Sequence, residues 1–334
     1  MRHDIQLRGA ALNVGEIPIG LFLLKRLVTF VLTLLAASAV VFTVLDVLPG
    51  NAAELRLGES ATPEALQALR LKLGLDRAPL ERYTGWLQGA LHGELGTSVA
   101  YDTPVGALIV ERLAVSLPLA LMAMALTTLI ALTLGVYAAS RHNRPGDAGV
   151  MVLSQLGIAL PNFWFGILLI LLFSVRLQWF SAGGFFGWDD GLWQGIRQLI
   201  LPAVALAAVQ AAILTRITRS AVLEVLREDF VRTARAKGLS QRQTLWRHVF
   251  RNAFVPVLTV MGLQFANLIA GTVVIERVFS LPGIGGLVFD AIANRDLIVV
   301  RNIVMLLAAT VIVINFVVDV LYAVIDPRLR LHSA

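Results

Sequence analysis

The side chains that could do covalent or metal chemistry are few in this sequence and nowhere gathered. It has no cysteine, which removes a thiol nucleophile, a thiolate metal site and a disulfide framework. Its five histidines, His3, His92, His142, His248 and His332, are scattered, and each reads as a surface residue rather than a ligand. There is no G-x-x-x-x-G-K-S/T phosphate loop, no H-E-x-x-H and no G-x-S-x-G. The chain is therefore expected not to hydrolyse ATP itself, to bind no cofactor of its own, and to hold neither a catalytic residue nor a metal site. The chemistry it does carry is that of contact. Residues 216–251 hold nine Lys/Arg (Arg216, Arg219, Arg227, Arg232, Arg235, Lys237, Arg242, Arg247, Arg251) against Glu224, Glu228 and Asp229, an excess equal to the +6 net charge of the whole chain.

The densest part, Asp229 to Pro256, reads DFVRTARAKGLSQRQTLWRHVFRNAFVP, and its spacing predicts two short helices around a glycine. Ahead of Gly238, Val222, Leu226, Phe230 and Ala234 recur at i, i+4, which makes one face apolar and the other charged. Gly238 stands where a helix C-terminus takes a left-handed residue at no steric cost. Ser240 and Gln243 form an S-x-x-Q capping box, each side chain meeting a free backbone donor of the next helix. That helix carries Leu245, Trp246, Val249 and Phe250 and runs into Pro256, where an apolar segment begins. A wedge of this kind between apolar segments is shaped to touch something outside the lipid. The plain alternative is a solvated basic loop of a multi-spanning protein.

The elements that must position the wedge are membrane-grade. The 334 residues are 57% hydrophobic and 15% charged, with a mean hydropathy of +0.77, against about 45–50% apolar and about 25% charged in a soluble domain. The basic balance follows the positive-inside rule, and no separate soluble basic domain exists to bind nucleic acid. We expect an all-α integral membrane protein with six transmembrane helices. Residues 1–24 form a cytoplasmic leader. Residues 25–47 hold the first span, whose charge-free run Leu27–Leu45 exceeds a signal-peptide core. Residues 48–112 form a small helical extracytoplasmic segment. One of its helices opens at Thr62-Pro63-Glu64, with Leu66, Leu69 and Leu73 as a stripe and Gly74 as its end. Another opens at Pro79, with Leu80, Tyr83, Leu87 and Leu91 facing one way.

Residues 113–325 form a five-helix core, with the wedge as a loop at 216–255 and a cytoplasmic tail at 326–334. The spans are read as Leu113–Ala139, about Ala148–Val175, from near Leu199 to Arg216, about Pro256–Ile275 and about Asn302–Ile325. With the wedge inside, the inner segments hold seventeen of the 28 Lys/Arg, so both termini are expected in the cytoplasm.

A few polar features interrupt the spans. Leu160-Pro161-Asn162-Phe163-Trp164 sets a proline in mid-membrane, where freed backbone groups need partners from neighbouring helices or water. Asn162, Phe163 and Trp164, with Gln264 and Asn267, are the candidates for a translocation path, and packing is the equal alternative. The loop 176–198 is aromatic (Trp179, Phe180, Phe185, Phe186, Trp188, Trp193) and suits the membrane interface, a ligand platform being the other reading. Asp319 is read as the single intramembrane carboxylate, structural rather than a relay. A proton-coupled carrier needs ionisable relays that the first five spans lack. That favours a permease driven from outside, with a passive channel or a secondary carrier as the alternatives from another class.

Thr233-Ala234-Arg235-Ala236-Lys237-Gly238-Leu239, followed by Arg247-His248, Arg251-Asn252-Ala253 and Pro256-Val257, resembles the EAA loop of bacterial ABC importer permeases, more narrowly those of the dipeptide/oligopeptide/nickel branch. The likeness runs from about Pro49 to Arg330 and takes in Gly93-Glu94-Leu95-Gly96-Thr97-Ser98, Phe279, Pro282-Gly283-Ile284-Gly285, Arg295-Asp296 and Asp326-Pro327-Arg328. It implies a type I importer permease fold in the bacterial cytoplasmic (inner) membrane. It also implies partners: two ATP-binding subunits that use ATP and Mg, a second permease subunit and an extracytoplasmic solute-binding protein. The wedge would dock on an ATP-binding subunit through Asp229, Arg232, Thr233, Ala234, Arg235, Ala236, Lys237, Gly238, Leu239, Arg247 and Arg251, with Ala234 and Gly238 allowing the closest approach.

Leu297-Ile298 and Arg301-Asn302 depart from the family pattern; both lie on the outer side, so they bear on the ligand and not on the ATPase coupling. Peptides, nickel complexes, glutathione, opines and oligosaccharides all enter through permeases of this look. A metal path would show inward His or carboxylates, so an organic solute is favoured. The 48–112 segment resembles one subunit type of a heterodimeric pair, and whether the partner is identical or different stays open.

Overall fold

The computed structural model describes residues 19–47, 62–64, Gln67 and 76–325, and their regular structure is helical apart from one isolated bridge between Thr97 and Pro104. In chain order the helices are α1 (Ile19–Val47), α2 (Pro79–Leu91), α3 (Val105–Ser140), α4 (Pro145–Ala159), α5 (Asn162–Arg176), α6 (Leu192–Val225), α7 (Asp229–Ala236), α8 (Gln241–Val278), α9 (Ile284–Ala293) and α10 (Leu297–Ile325). Among the described residues, α1, α3, α6, α8 and α10 are each long and apolar enough to cross a membrane. The pair α4 and α5, bent by 100°, makes a sixth span when taken together. The Leu66, Leu69 and Leu73 stripe, Gly74, residues 1–18 and the Asp326-Pro327-Arg328 end lie outside the described residues.

Helix α6 is the centre of the bundle and packs on α3, α4, α5 and α8. Its sequence explains why. Ala203, Ala205, Ala207, Ala211, Ala212 and Ala221 are buried on it, and small residues let neighbouring backbones approach where lipid supplies no hydrophobic drive between helices. Gly135 of α3 lies so close to Thr218 that a Cβ there would overlap the threonine side chain, and Gly157 of α4 faces Ala212. One apolar cluster forms at the wedge end from Val136, Ala139, Leu214, Val222, Val231 and Val257. A second lies deeper, around Leu119, Leu206, Leu268 and Phe279. A third joins α3, α9 and α10 at the far end through Val105, Ile109, Leu287 and Ile303. Helix α1 is peripheral and packs on α10, where Arg26 and Asp319 pair at 2.9 Å and Phe30 meets Phe316 at 4.9 Å between ring centres.

Several boundaries differ from the periodic reading. α3 begins at Val105 rather than Leu113, because Pro104 caps it while its first turns already bury Val105, Leu108 and Ile109. α6 likewise begins at Leu192 and runs past Arg216 to Val225. The predicted third span is broken at Leu160 and Pro161, both extended, with ψ of 127° and 132°. A residue before proline is driven out of the helical region, and the chain turns there. The second wedge helix is not separate from the fifth span: α8 is continuous from Gln241 through a π turn at Leu245–Val249 and past Pro256.

On α2 the buried face is not the leucine row. Leu80 and Leu91 are exposed, while Trp86 is buried between Phe42 and Asn302, to whose Oδ1 its indole N–H donates at 3.1 Å, and Tyr83 shares a hydrogen bond with Ser38. The aromatic loop is split between two roles. Phe180, Phe185 and Trp188 pack on the bundle, and Trp188 donates its indole N–H to the Ala114 carbonyl at 2.9 Å; Trp179, Phe186 and Trp193 are exposed.

Candidate coupling and translocation sites

The wedge is built where α6 stops. After Val225 the chain leaves the helix, and Glu228, extended at ψ 147°, caps α7, with Asp229 in the first turn near the positive end of the helix dipole. The predicted i, i+4 stripe is therefore divided between two helices. Val222 stays in α6, while on α7 the buried face is Val231 and Ala234, and Phe230 is 43% exposed. Ala234 is only 7% exposed, so its side chain packs within this chain instead of offering a close approach to a partner.

α7 closes in a Schellman motif. Gly238 N–H donates to the Arg235 carbonyl at 2.9 Å and Leu239 N–H to the Ala234 carbonyl at 3.3 Å, with Gly238 at φ +86°. Nothing lies within 4 Å of where a Gly238 Cβ would stand, so the glycine answers a backbone need and leaves open space above it. The capping box forms as the spacing predicts: Gln243 N–H donates to Ser240 Oγ and Ser240 N–H to Gln243 Oε1. Arg232, Thr233, Arg235, Ala236, Lys237, Arg247 and Arg251 are exposed, Leu239 is half-buried, and Trp246 is 52% exposed beside them. Asp229 is exposed and pairs with Arg232 at 3.4 Å. The wedge thus shows a basic surface with two aromatic side chains, Phe230 and Trp246.

Beside the wedge lies a group that the sequence reading did not single out. Asp147, in the first turn of α4, is buried and accepts from Arg219 twice, from Nε at 2.6 Å and from Nη2 at 2.7 Å, and from Asn143 N–H at 3.0 Å. This fork ties α4 to the last turns of α6, immediately ahead of the wedge. A carboxylate just inside a Pro-Gly helix start was the available signal.

A second carboxylate corrects the reading of Asp319 as the single one in the spans. Glu276, inside α8, is fully buried. It accepts from Ser116 Oγ of α3 at 2.5 Å and from Gly285 N–H at the start of α9 at 2.7 Å, while Ser116 accepts from Ile284 N–H at 2.8 Å. The glycines of Leu281-Pro282-Gly283-Ile284-Gly285 follow from this. A Cβ at Gly283 would overlap the Glu276 carboxylate, and one at Gly285 would overlap the Val273 backbone.

At the break between α4 and α5 a cavity of about 420 Å³ is lined by Leu160, Pro161, Asn162, Gln210, Asn267 and Gly271, among others. It brings Asn162 and Asn267 together from different spans. Gln264 is buried next to it and donates from Nε2 to the Gln210 carbonyl at 3.2 Å. Phe163 and Trp164 do not line it; each is 44% exposed on the outside of α5. Gln210 was missed, although a glutamine within an apolar helix is the same signal that marked Gln264.

The described residues thus form a bundle of apolar helices with a capped basic wedge at one end and an amide-lined break inside. Residues 131–331 match the family of binding-protein-dependent transport system inner membrane components, and residues 20–120 match its N-terminal region. The chain belongs to this family: it is the non-catalytic, multi-pass inner-membrane permease component of an ABC transporter, which works with ATPase and binding-protein partners.

Its relatives are alike over nearly their whole length. A Brucella abortus protein, provisionally named as a peptide transport system permease, is 43% identical over 308 residues, covering 92% of this chain and 98% of that one. The di/tripeptide transport system permease protein DppB of Pseudomonas aeruginosa is 38% identical over 330 residues (92% and 98%). The oligopeptide transport system permease protein AppB of Bacillus subtilis is 37% identical over 312 residues (92% and 99%).

Proposed function

We propose that this chain is one permease half of an ATP-driven importer for peptides. Two ATP-binding subunits, using ATP and Mg, would sit under it and a second, different permease beside it. The wedge and both termini face the cytoplasm in this reading. The observation that carries it is the wedge itself. It is an exposed basic surface, held by its own caps, on a chain with no phosphate loop to use the energy that the wedge is built to receive. The peptide assignment is supported by relatives that carry peptide, di/tripeptide and oligopeptide names.

ATP-driven closure of the ATPases pushes α7 and the start of α8. Because α8 is continuous into the bundle, the push arrives as a movement of one long helix. Alternating access requires nucleotide and solute to favour different states. Asp229, Arg232, Thr233, Arg235, Ala236, Lys237, Gly238, Leu239, Arg247 and Arg251 form the docking face. Single exposed ion pairs there contribute about 0–1 kcal/mol each and tune a contact that Phe230 and Trp246 support by burial.

Purification of the tagged protein from its own membrane, with mass spectrometry of what accompanies it, tests this. The expected companion is an ATPase carrying a phosphate loop. Gly238→Arg loses it, while Gly238→Ala, which carries the left-handed strain of about 1–2 kcal/mol without the bulk, keeps it. A Gly238→Arg protein that retains the ATPase counts against the docking face. A lone chain that passes solute through liposomes without ATP sinks the importer reading.

A further inference from the structure

We propose that the cavity at the broken span is a peptide-backbone subsite of the path, in which Asn162, Gln210 and Asn267 bind the amide groups of the passing solute and take no account of its side-chain charge. The inference rests on the peptide reading above and narrows it to one site and one kind of contact.

Three observations carry it. The first is the break. Ile158, Ala159, Leu160, Pro161 and Asn162, where helical bonding stops and restarts, all line the cavity. Irregular backbone is tolerated at membrane depth where it lines a cavity or is buried in protein. The second is unspent hydrogen bonding. Asn162 Oδ1 accepts from Phe163 N–H at 2.8 Å, which leaves its NH2 group for a ligand. A Cβ added at Gly271, opposite, would stand 4.0 Å from Asn162 Nδ2, so the two lie across the same space. Gln264, on the same face of α8 as Asn267, is 4% exposed and its Oε1 has no hydrogen-bond partner. Gln264 is not itself part of the lining, but its Nε2 donates to the Gln210 carbonyl and so holds α8 to α6 beside the cavity.

The third is the chemistry of the lining, which holds no ionisable side chain. An amide both donates and accepts, as a peptide group does, so these side chains match a feature repeated in every peptide whatever its sequence. A cavity of about 420 Å³ holds a short stretch of backbone. Another cavity, between α3, α8 and α10, shows that the fold does not force amides into a cleft: Met124, Leu258, Gly262, Phe265, Val313 and Val318 line it with almost wholly apolar surface.

The test is uptake by the complete transporter, with its own ATPases, partner permease and binding protein, reconstituted in liposomes. The probes are the tripeptides Ala-Lys-Ala, Ala-Ala-Ala and Ala-Glu-Ala. Asn267→Asp keeps size and hydrogen-bond reach but adds a negative charge to the cavity. It is expected to raise the Lys-to-Glu uptake ratio by about tenfold or more over the wild type measured with the same binding protein. Asn162→Asp, which retains the acceptor for Phe163 N–H, shifts the ratio the same way and gives the reading if the first variant does not assemble. A merely structural role would lower all three rates together and leave the ratio unmoved. Ratios within about twofold of wild type in both variants overturn the subsite and leave the peptide reading intact. A wild-type transporter that moves none of the three overturns the peptide reading and the subsite with it.

Discussion

Asp147 is buried at the wedge end of the bundle and Glu276 at the far end, and these two carboxylates are held by different means. At the wedge end Asp147 is gripped by the Arg219 guanidinium, a long side chain reaching from α6 to the start of α4. At the far end Glu276 sits in a cradle of neutral donors, the Ser116 hydroxyl and the Gly285 backbone N–H, with glycines where any side chain would collide. A flexible side chain can keep its bond while the helices it joins shift by an ångström or so. The cradle has less room to do so, because Gly283 and Gly285 bring backbone hard against the Glu276 carboxylate and its helix. We therefore expect the far end to be the stiff part of the permease and the wedge end the part that yields, which is the order needed if motion enters at α7.

The largest effect should come from breaking the grip. Arg219→Ala leaves Asp147 buried without its cation. The expected loss is about 2–4 kcal/mol in detergent-solubilised unfolding, below that of a fully interior pair because Arg219 sits at the end of the bundle, where water reaches it. The double variant Asp147→Leu, Arg219→Leu strands no charge and should cost much less. Equal losses in the single and double variants would mean that packing, not charge, joins α4 to α6.

The cradle is tested by adding one methyl group. Gly283→Ala and Gly285→Ala should each destabilise by about 1–3 kcal/mol through overpacking, but they differ in what they strike. At position 283 the new Cβ meets the Glu276 carboxylate; at 285 it meets the Val273 backbone first. A double-mutant cycle with Glu276→Ala should therefore give a coupling of about 1 kcal/mol with Gly283→Ala and a clearly smaller one with Gly285→Ala. Equal couplings would show that the cradle is set by the carboxylate alone and not by backbone.

These two ends also mark how far the sequence could be read. The Gly238 cap and the Ser240–Gln243 box were legible because their partners lie within a few residues, so spacing alone specifies the geometry. The apolar spans were legible for the same local reason. The stripe through Phe230 was not, since it assumed one helix across Leu226 to Asp229 where the chain turns. Trp86 replaced the leucines of α2 as its buried residue because Phe42 and Asn302, far away in sequence, made the pocket. Glu276 and Ser116 are separated by 160 positions, and nothing local to either announces the other. Asn162 and Asn267 were picked one by one as polar residues in apolar helices; that they share a cavity with Gln210 is a property of how α4, α5, α6 and α8 cross.

The smallest expected effect separates holding the fold from holding a partner. Arg232 lies on the outside of α7, its side chain 76% exposed, and it pairs with Asp229, itself 94% exposed. Such a pair contributes about 0–1 kcal/mol and is screened by salt. Arg232→Ala should leave unfolding of the isolated permease nearly unchanged, while recovery of the ATPase falls and depends less steeply on salt, as expected when a charge at the rim of an interface is removed. Arg219→Ala, only a few turns away along the chain, should do the reverse, losing stability first. If Arg232→Ala instead weakened the isolated protein by well over about 1 kcal/mol, the exposed cations of α7 would belong to the fold, and the docking face would shrink to Phe230, Trp246 and the backbone around Gly238.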